Sequence, residues 1–308
     1  MKDEQIDFDE TTLSIDLSDA TQAVKESRFE DALSLLRVLL KENPNHIDIL
    51  YLSAVSTRFL KKFDDSRKHI ENLLLNAPDM GRAYQELGHL NRDMGKEEKA
   101  VMHYRQACEL NPALPSSWNY LYQYFQKNEN KPAADHALEQ IKKLQTLPGL
   151  LLFIEQILNE GRLGLAETKC RAFLKENPTH TYAMSLLAEI ANRFGYFDDA
   201  EFLLQKAVEF KPQDGDLRLK YASILRKKQK FAQTTEQVNI LCEQFPDNLN
   251  YQAQKASDVM QGGDHAKAIT MFDKILEKNP YNFSTLTSRG HAQKTLGSTD
   301  QAIKSYQS

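Results

Sequence analysis

Seven of the ten prolines in this chain keep one period. Pro44, Pro78 and Pro112 stand 34 residues apart, and so do Pro178, Pro212, Pro246 and Pro280. A second marker, Gly-x4-Ala, recurs in phase at Gly95/Ala100, Gly161/Ala166, Gly195/Ala200, Gly263/Ala268 and Gly297/Ala302. The two markers are chemically independent, so their shared period reflects a structural unit. A repeat of this length restricts the chain to units that cannot bury their apolar faces alone and must stack on copies of themselves.

The stretch from Thr181 to Asp214 serves as the type unit. Ala183, Leu187, Ile190, Ala191 and Phe194 fall on one face of an α-helix, helix A. Gly195 follows, suited to the left-handed conformation that stops a helix without a Cβ clash. Asp198 and Asp199 are expected to supply cap oxygens and favourable charge to a second helix, helix B. Helix B carries Ala200, Leu203, Leu204, Ala207 and Val208 on its apolar face and gives way at Pro212, which cannot continue it. Alanine at positions 32, 100, 166, 200, 268 and 302 lets helix B approach helix A closely.

A 34-residue period with alanine near position 20 and proline at 32 resembles the tetratricopeptide repeat. The resemblance implies an all-α fold, a right-handed α-solenoid of about nine helical hairpins with the last incomplete. The sequence divides into an acidic tail at 1–12, repeats 1–4 at 13–146 and repeats 5–9 at 147–308. Repeat 4 has a seam: Pro112 and Pro178 are 66 residues apart rather than 68, and NENKPAADHA replaces the linking glycine. Pro132 and Pro148 are placed to open helices there. Repeat 9 stops soon after Ala302, Ile303 and Tyr306, and the chain is expected to be the N-terminal part of a longer protein.

Composition bounds the function. With 39 basic and 43 acidic residues the formal net charge is −4, so no general field attracts nucleic acid or an anionic membrane. The N-terminal MKDEQIDFDETT lacks the apolar core of a secretory signal, and the longest apolar run, Leu150 to Ile154, is too short to span a bilayer. A cytoplasmic protein is expected. Cys108, Cys170 and Cys242 are isolated and fall on helix B as small buried hydrophobes. The eight histidines are scattered, with no pair at i, i+4 in one helix, so neither metal nor cofactor is expected in this segment. No phosphate loop, dinucleotide fingerprint or nucleophile elbow occurs, and no catalytic site is expected in these residues. Trp118, Tyr120, Tyr122, Tyr124 and Phe125 are expected in the core.

From Leu150 to Tyr306, NEGRLGLAETKCRAFLKENPTH, DDAEFLLQKAVEFKP and SRGHAQKTLGSTDQAIKSY are similar to the repeat region of bacterial tetratricopeptide-repeat sulfotransferases. That likeness implies an arm preceding a domain that transfers a sulfuryl group from 3′-phosphoadenylyl sulfate; a stand-alone adaptor with no linked enzyme is the alternative. It transfers no catalytic residue, because the donor-binding loop is missing. In tetratricopeptide arrays, positions 2, 5, 9 and 12 of helix A line a concave groove. The corresponding residues are Tyr51, Val55 and Arg58; Arg82, Gln85, His89 and Arg92; Asn119, Gln123 and Gln126; and, further on, Tyr182, Glu189, Asn192, Ser223 and Arg226. The first clusters are basic and amide-rich in an acidic chain, which points to a protein or peptide ligand bearing carboxylates. Replacing Arg82 and Arg92 by alanine is expected to weaken such binding and leave the fold intact.

Overall fold

The structure, a computed structural model, describes residues 17–307; the acidic segment 1–12 and the start of repeat 1 at Leu13 lie outside them. Among the described residues every regular element is a helix. They pair into hairpins α1 (17–25) with α2 (Phe29–Glu42), α3 (Ile47–Phe59) with α4 (Phe63–Asn76), α5 (Gly81–Asp93) with α6 (Glu97–Leu110), and α7 (Pro115–Lys127) with α8 (Lys131–Gln145). Next come α9 (Gly149–Asn159) with α10 (Leu163–Glu176), α11 (Thr181–Phe194) with α12 (Phe197–Phe210), and α13 (Gly215–Lys227) with α14 (Phe231–Gln244). The last hairpins are α15 (Leu249–Gln261) with α16 (His265–Lys278) and α17 (Phe283–Thr295) with α18 (Thr299–Gln307). The fold is thus the expected all-α hairpin array. The chain forms two compact units, one through Ala166 and one from Glu167, with the boundary inside α10.

One turn geometry recurs in every hairpin. The fifteenth residue of each repeat has positive φ: glycine at 95, 161, 195, 263 and 297, but Ser27, Lys61, Glu129 and Gln229 in the others. The next amide donates back to the carbonyl five residues earlier, as in Tyr196 N to Ala191 O at 2.8 Å and Asn130 N to Phe125 O at 2.9 Å. This is a Schellman closure, which satisfies carbonyls the helix end leaves open. Repeat 4 therefore keeps the turn although it lacks the glycine, because backbone bonds impose the left-handed residue. Asp198 and Asp199 do not cap α12: its N-cap is Tyr196, with no side-chain cap bond, and the two acids sit in the first turn. Their contribution is charge against the helix dipole. In the second unit His180, Asp214, Asn248 and Asn282 before helix A, and Asp264 before α16, each accept an amide from the first turn.

Within hairpins, size complementarity sets the helix spacing. Gly88 faces Tyr104 so closely that an added Cβ would lie 2.7 Å from the ring, and Gly290 faces Tyr306 likewise, at 2.5 Å. Where the eighth residue is alanine, the opposite side chain is smaller or differently shaped: Ala54 clusters with Ile70, Ala188 with Leu204 and Ala256 with Phe272. Ala32, Ala100, Ala166, Ala200, Ala268 and Ala302 are all buried, as the close-approach argument requires. Ser66 takes the same place in repeat 2 and satisfies its hydroxyl on the Ala54 carbonyl at 3.0 Å. Cys108 and Cys170 are buried and Cys242 is half-buried.

Candidate functional site

Helix A of hairpins 2, 3 and 4 presents the basic, amide-rich stripe, and the structure divides it in two. Tyr51, Arg58, Arg82, Gln85 and His89 are buried or half-buried, whereas Arg92, Asn119, Gln123 and Gln126 are exposed. Arg58 is not available to a ligand: its Nε meets Glu86 and its Nη1 meets Asp93 at 2.8 Å, with the arginine side chain only 6% exposed. Gln85 donates to the Ser117 hydroxyl at 2.9 Å and ties hairpin 3 to hairpin 4. The His89 ring is pushed down to about 3 by burial, and then by the charges of Arg58 and Arg92. It is therefore neutral, and its Nδ1 shares a hydrogen bond with the Tyr104 hydroxyl at 2.6 Å. The His291–Tyr306 pair repeats this contact at 3.2 Å in hairpin 9.

Arg82 is the centre of the buried half. Its Nε and Nη2 donate to the two carboxylate oxygens of Glu160, each at 2.6 Å, and its guanidinium lies 5.0 Å from the centre of the Tyr51 ring. This planar two-bond fork is the strongest arrangement an arginine makes with a carboxylate. Burial pushes the Tyr51 hydroxyl up to about 12, so it stays protonated beside the pair. Glu160 belongs to the end of α9, 78 residues along the chain.

The rest of that segment bonds to the connection between α6 and α7. Gln156 donates to the Ala113 carbonyl at 2.6 Å, and its own carbonyl accepts from Asn111 at 3.0 Å. Asn159 donates to Asn111 Oδ1 at 3.1 Å. Arg162, just past the turn glycine, forms a second fork with Asp48, both bonds at 2.7 Å and spanning 114 residues. A nearest-neighbour array predicts a hollow at this place. Instead, the end of α9 and its turn bond to hairpins 2 and 3 and to the connection after hairpin 3, just after the seam at repeat 4. Neither Glu160 nor Arg162 was legible as a groove residue; opposite charges flanking Gly161 were the available signal.

The exposed half continues the stripe along hairpins 3 and 4. Arg92 pairs with its neighbour Asp93 at 2.8 Å, and Gln126 donates to the Tyr122 hydroxyl at 2.6 Å. Trp118 is half-exposed and donates to the Pro112 carbonyl at 2.8 Å, whereas Phe125 is core. In the second unit the helix A stripe is a polar network: Lys220 donates to Ser185, Lys227 to Asn192, and Arg226 pairs with Asp258, all within 2.8 Å. A pocket of about 210 Å³ in the same unit is lined by Leu187, Ile190, Leu203, Phe194, Tyr196 and Phe202 among others. It is smaller than the roughly 300–1,000 Å³ of a small-molecule site. Among the described residues, no group of three or more metal-ligating side chains forms, and no helix is long and apolar enough to cross a membrane.

The family model for the tetratricopeptide repeat matches residues 81–114, which are hairpin 3 and its connection to α7. The same turn geometry recurs in the remaining hairpins, so the matched segment is one unit of a longer helical hairpin array. No curated protein matches the chain. Among solved structures, it is similar to one described as the crystal structure of MamA, at 18% identity and a TM-score of 0.44, covering 50% of this chain and 90% of that one. The Cut9 and Hcn1 hetero-tetramer of the APC/C is similar at 16% identity and a TM-score of 0.42, covering 90% of this chain and 55% of that one.

Proposed function

We propose that this array is a protein-interaction scaffold whose first unit takes an acidic peptide segment along the helix A stripe of hairpins 3 and 4. The observation that supports it is the Arg82 fork, which already holds a carboxylate from a helix end, the chemistry an acidic partner would present. The exposed Arg92, Asn119, Gln123 and Gln126 extend the same donor surface outward. Each arginine–carboxylate bond contributes roughly 1.5–3 kcal/mol. Two or three of them with modest apolar contact give micromolar affinity, about −8 kcal/mol.

Because the Glu160 side chain is only 2% exposed, Arg82→Ala would strand a buried carboxylate and damage the fold, contrary to the expectation from sequence. The clean test uses the exposed positions. Anisotropy of a fluorescein-labelled hexaglutamate peptide should show micromolar binding to the whole chain, weakened several-fold by Arg92→Ala with Gln126→Ala. Equal binding of a hexalysine peptide would refute the reading.

The finer proposal, an arm of a cytoplasmic sulfotransferase, rests on sequence likeness alone, since neither the matched family model nor the structures named above is a sulfotransferase. A phosphate-binding strand, loop and helix encoded after Ser308 would support it. A polar capping helix followed by a stop codon would favour a free-standing adaptor.

A further inference from the structure

The Arg82 fork of the first unit is already held by a carboxylate of the same chain. We infer that the turn after α9, Glu160 to Arg162, is a built-in competitor, and that an acidic partner enters by taking Arg82 from Glu160. The inference rests on the acidic-segment reading of the groove.

Four features carry it. First, the Nε–Nη2 edge of Arg82 is taken by one carboxylate and the Tyr51 ring lies over the guanidinium, so a second carboxylate gains that two-bond edge only by replacing the first. Second, the exchange is chemically even, since one carboxylate succeeds another and Arg82 is never left as a buried unpaired cation. Third, the two forks differ in depth. Arg82 and Glu160 are 12% and 2% exposed, whereas Arg162 and Asp48 are 31% and 22% exposed, so the outer pair opens to water first. Fourth, the exposed stripe through Arg92, Gln123 and Gln126 lies on hairpins 3 and 4, which also carry Arg82 and Ser117, giving an acidic segment a place to land before the exchange. The bonds the turn gives up are the side-chain forks of Glu160 to Arg82 and of Arg162 to Asp48, groups that water or the incoming segment can satisfy, while Ile157 and Leu158 keep α9 itself in the core.

A protein whose competent state is a fraction of the population binds with affinity reduced by that fraction. Glu160→Gln with Arg162→Gln removes both carboxylate–guanidinium forks and leaves Arg82 in place. The test measures labelled hexaglutamate binding to the whole chain and to this variant, together with hydrogen exchange of amides 160–162 in the unaltered chain with and without the peptide. The expected results are about tenfold tighter binding by the variant and faster exchange at 160–162 when the unaltered chain is saturated. Equal affinities, with exchange at 160–162 unmoved while Arg92→Ala still weakens binding, would overturn the competitor and leave the acidic groove standing. No binding by either protein would overturn both. If the variant misfolds, the exchange measurement on the unaltered chain decides alone.

Discussion

Glu129→Gly should stabilise this protein. Glu129 has φ of +54° in the turn between α7 and α8, where five of the other eight hairpins place glycine. A residue with a Cβ costs about 1–2 kcal/mol in this conformation. Glycine avoids that strain but loses roughly 0.5–1 kcal/mol more backbone entropy on folding. The difference is a gain of about 0.5–1 kcal/mol. Little else changes, because Glu129 is exposed and the bonds closing the turn, Glu129 N to Gln126 O and Asn130 N to Phe125 O, are backbone to backbone. The mirror experiment is Gly195→Ala, where φ is +82° and an added Cβ would meet no atom within 4 Å, so that its cost is conformational alone. Urea unfolding followed by circular dichroism reads both, with native-state hydrogen exchange at the two turns as a local check. With a slope near 2 kcal/mol per molar, the midpoint should rise by about 0.3–0.5 M for Glu129→Gly and fall by a similar amount for Gly195→Ala. Gly substitutions at Ser27, Lys61, Glu129 and Gln229 together should add, since the turns are separate. A lower midpoint for Glu129→Gly would refute the shared left-handed turn.

Ala200→Leu forces three extra carbons between Ala188, Ala191, Leu204 and Ile224 and should cost roughly 1–3 kcal/mol; an unchanged unfolding midpoint would contradict the assigned repeat position. The buried His89 stays neutral down to about pH 3, while an unfolded histidine takes its proton near pH 6.5. Its contribution is present above pH 6.5 and is lost on acidification at about 1.4 kcal/mol per unit. His89→Gln should flatten the stability profile between pH 6.5 and 4, and an unaltered slope would show the ring to be solvated. Burial pushes the Cys108 thiol up to about 12 and Cys170 up to about 11, while half-buried Cys242 is shifted upward less. Iodoacetamide under native conditions should therefore label Cys242 first, with mass spectrometry of the tryptic peptides as the readout.

Two parts of this structure differ in how they were legible. The 34-residue period determined the hairpins, their boundaries and their buried alanines, because these depend on a helix face, a turn and one neighbour, all encoded within a few tens of residues. The turn rule extended further than its glycine marker: Ser27, Lys61, Glu129 and Gln229 adopt the left-handed state because the closure bonds of each hairpin demand it, a constraint with no residue-type signature. The stripe residues were found from repeat positions, yet position alone could not tell exposed Arg92 from Arg58 sealed between Glu86 and Asp93. The pairing of Glu160 with Arg82 and of Arg162 with Asp48 was decided only by the tertiary fold. Curvature accumulates from small rotations at each successive hairpin, and the place where it brings residues 78 and 114 positions apart into contact is a property of the sum. No local pattern carries that sum, so the carboxylate that the chain itself places on Arg82 emerged only once the hairpins were stacked.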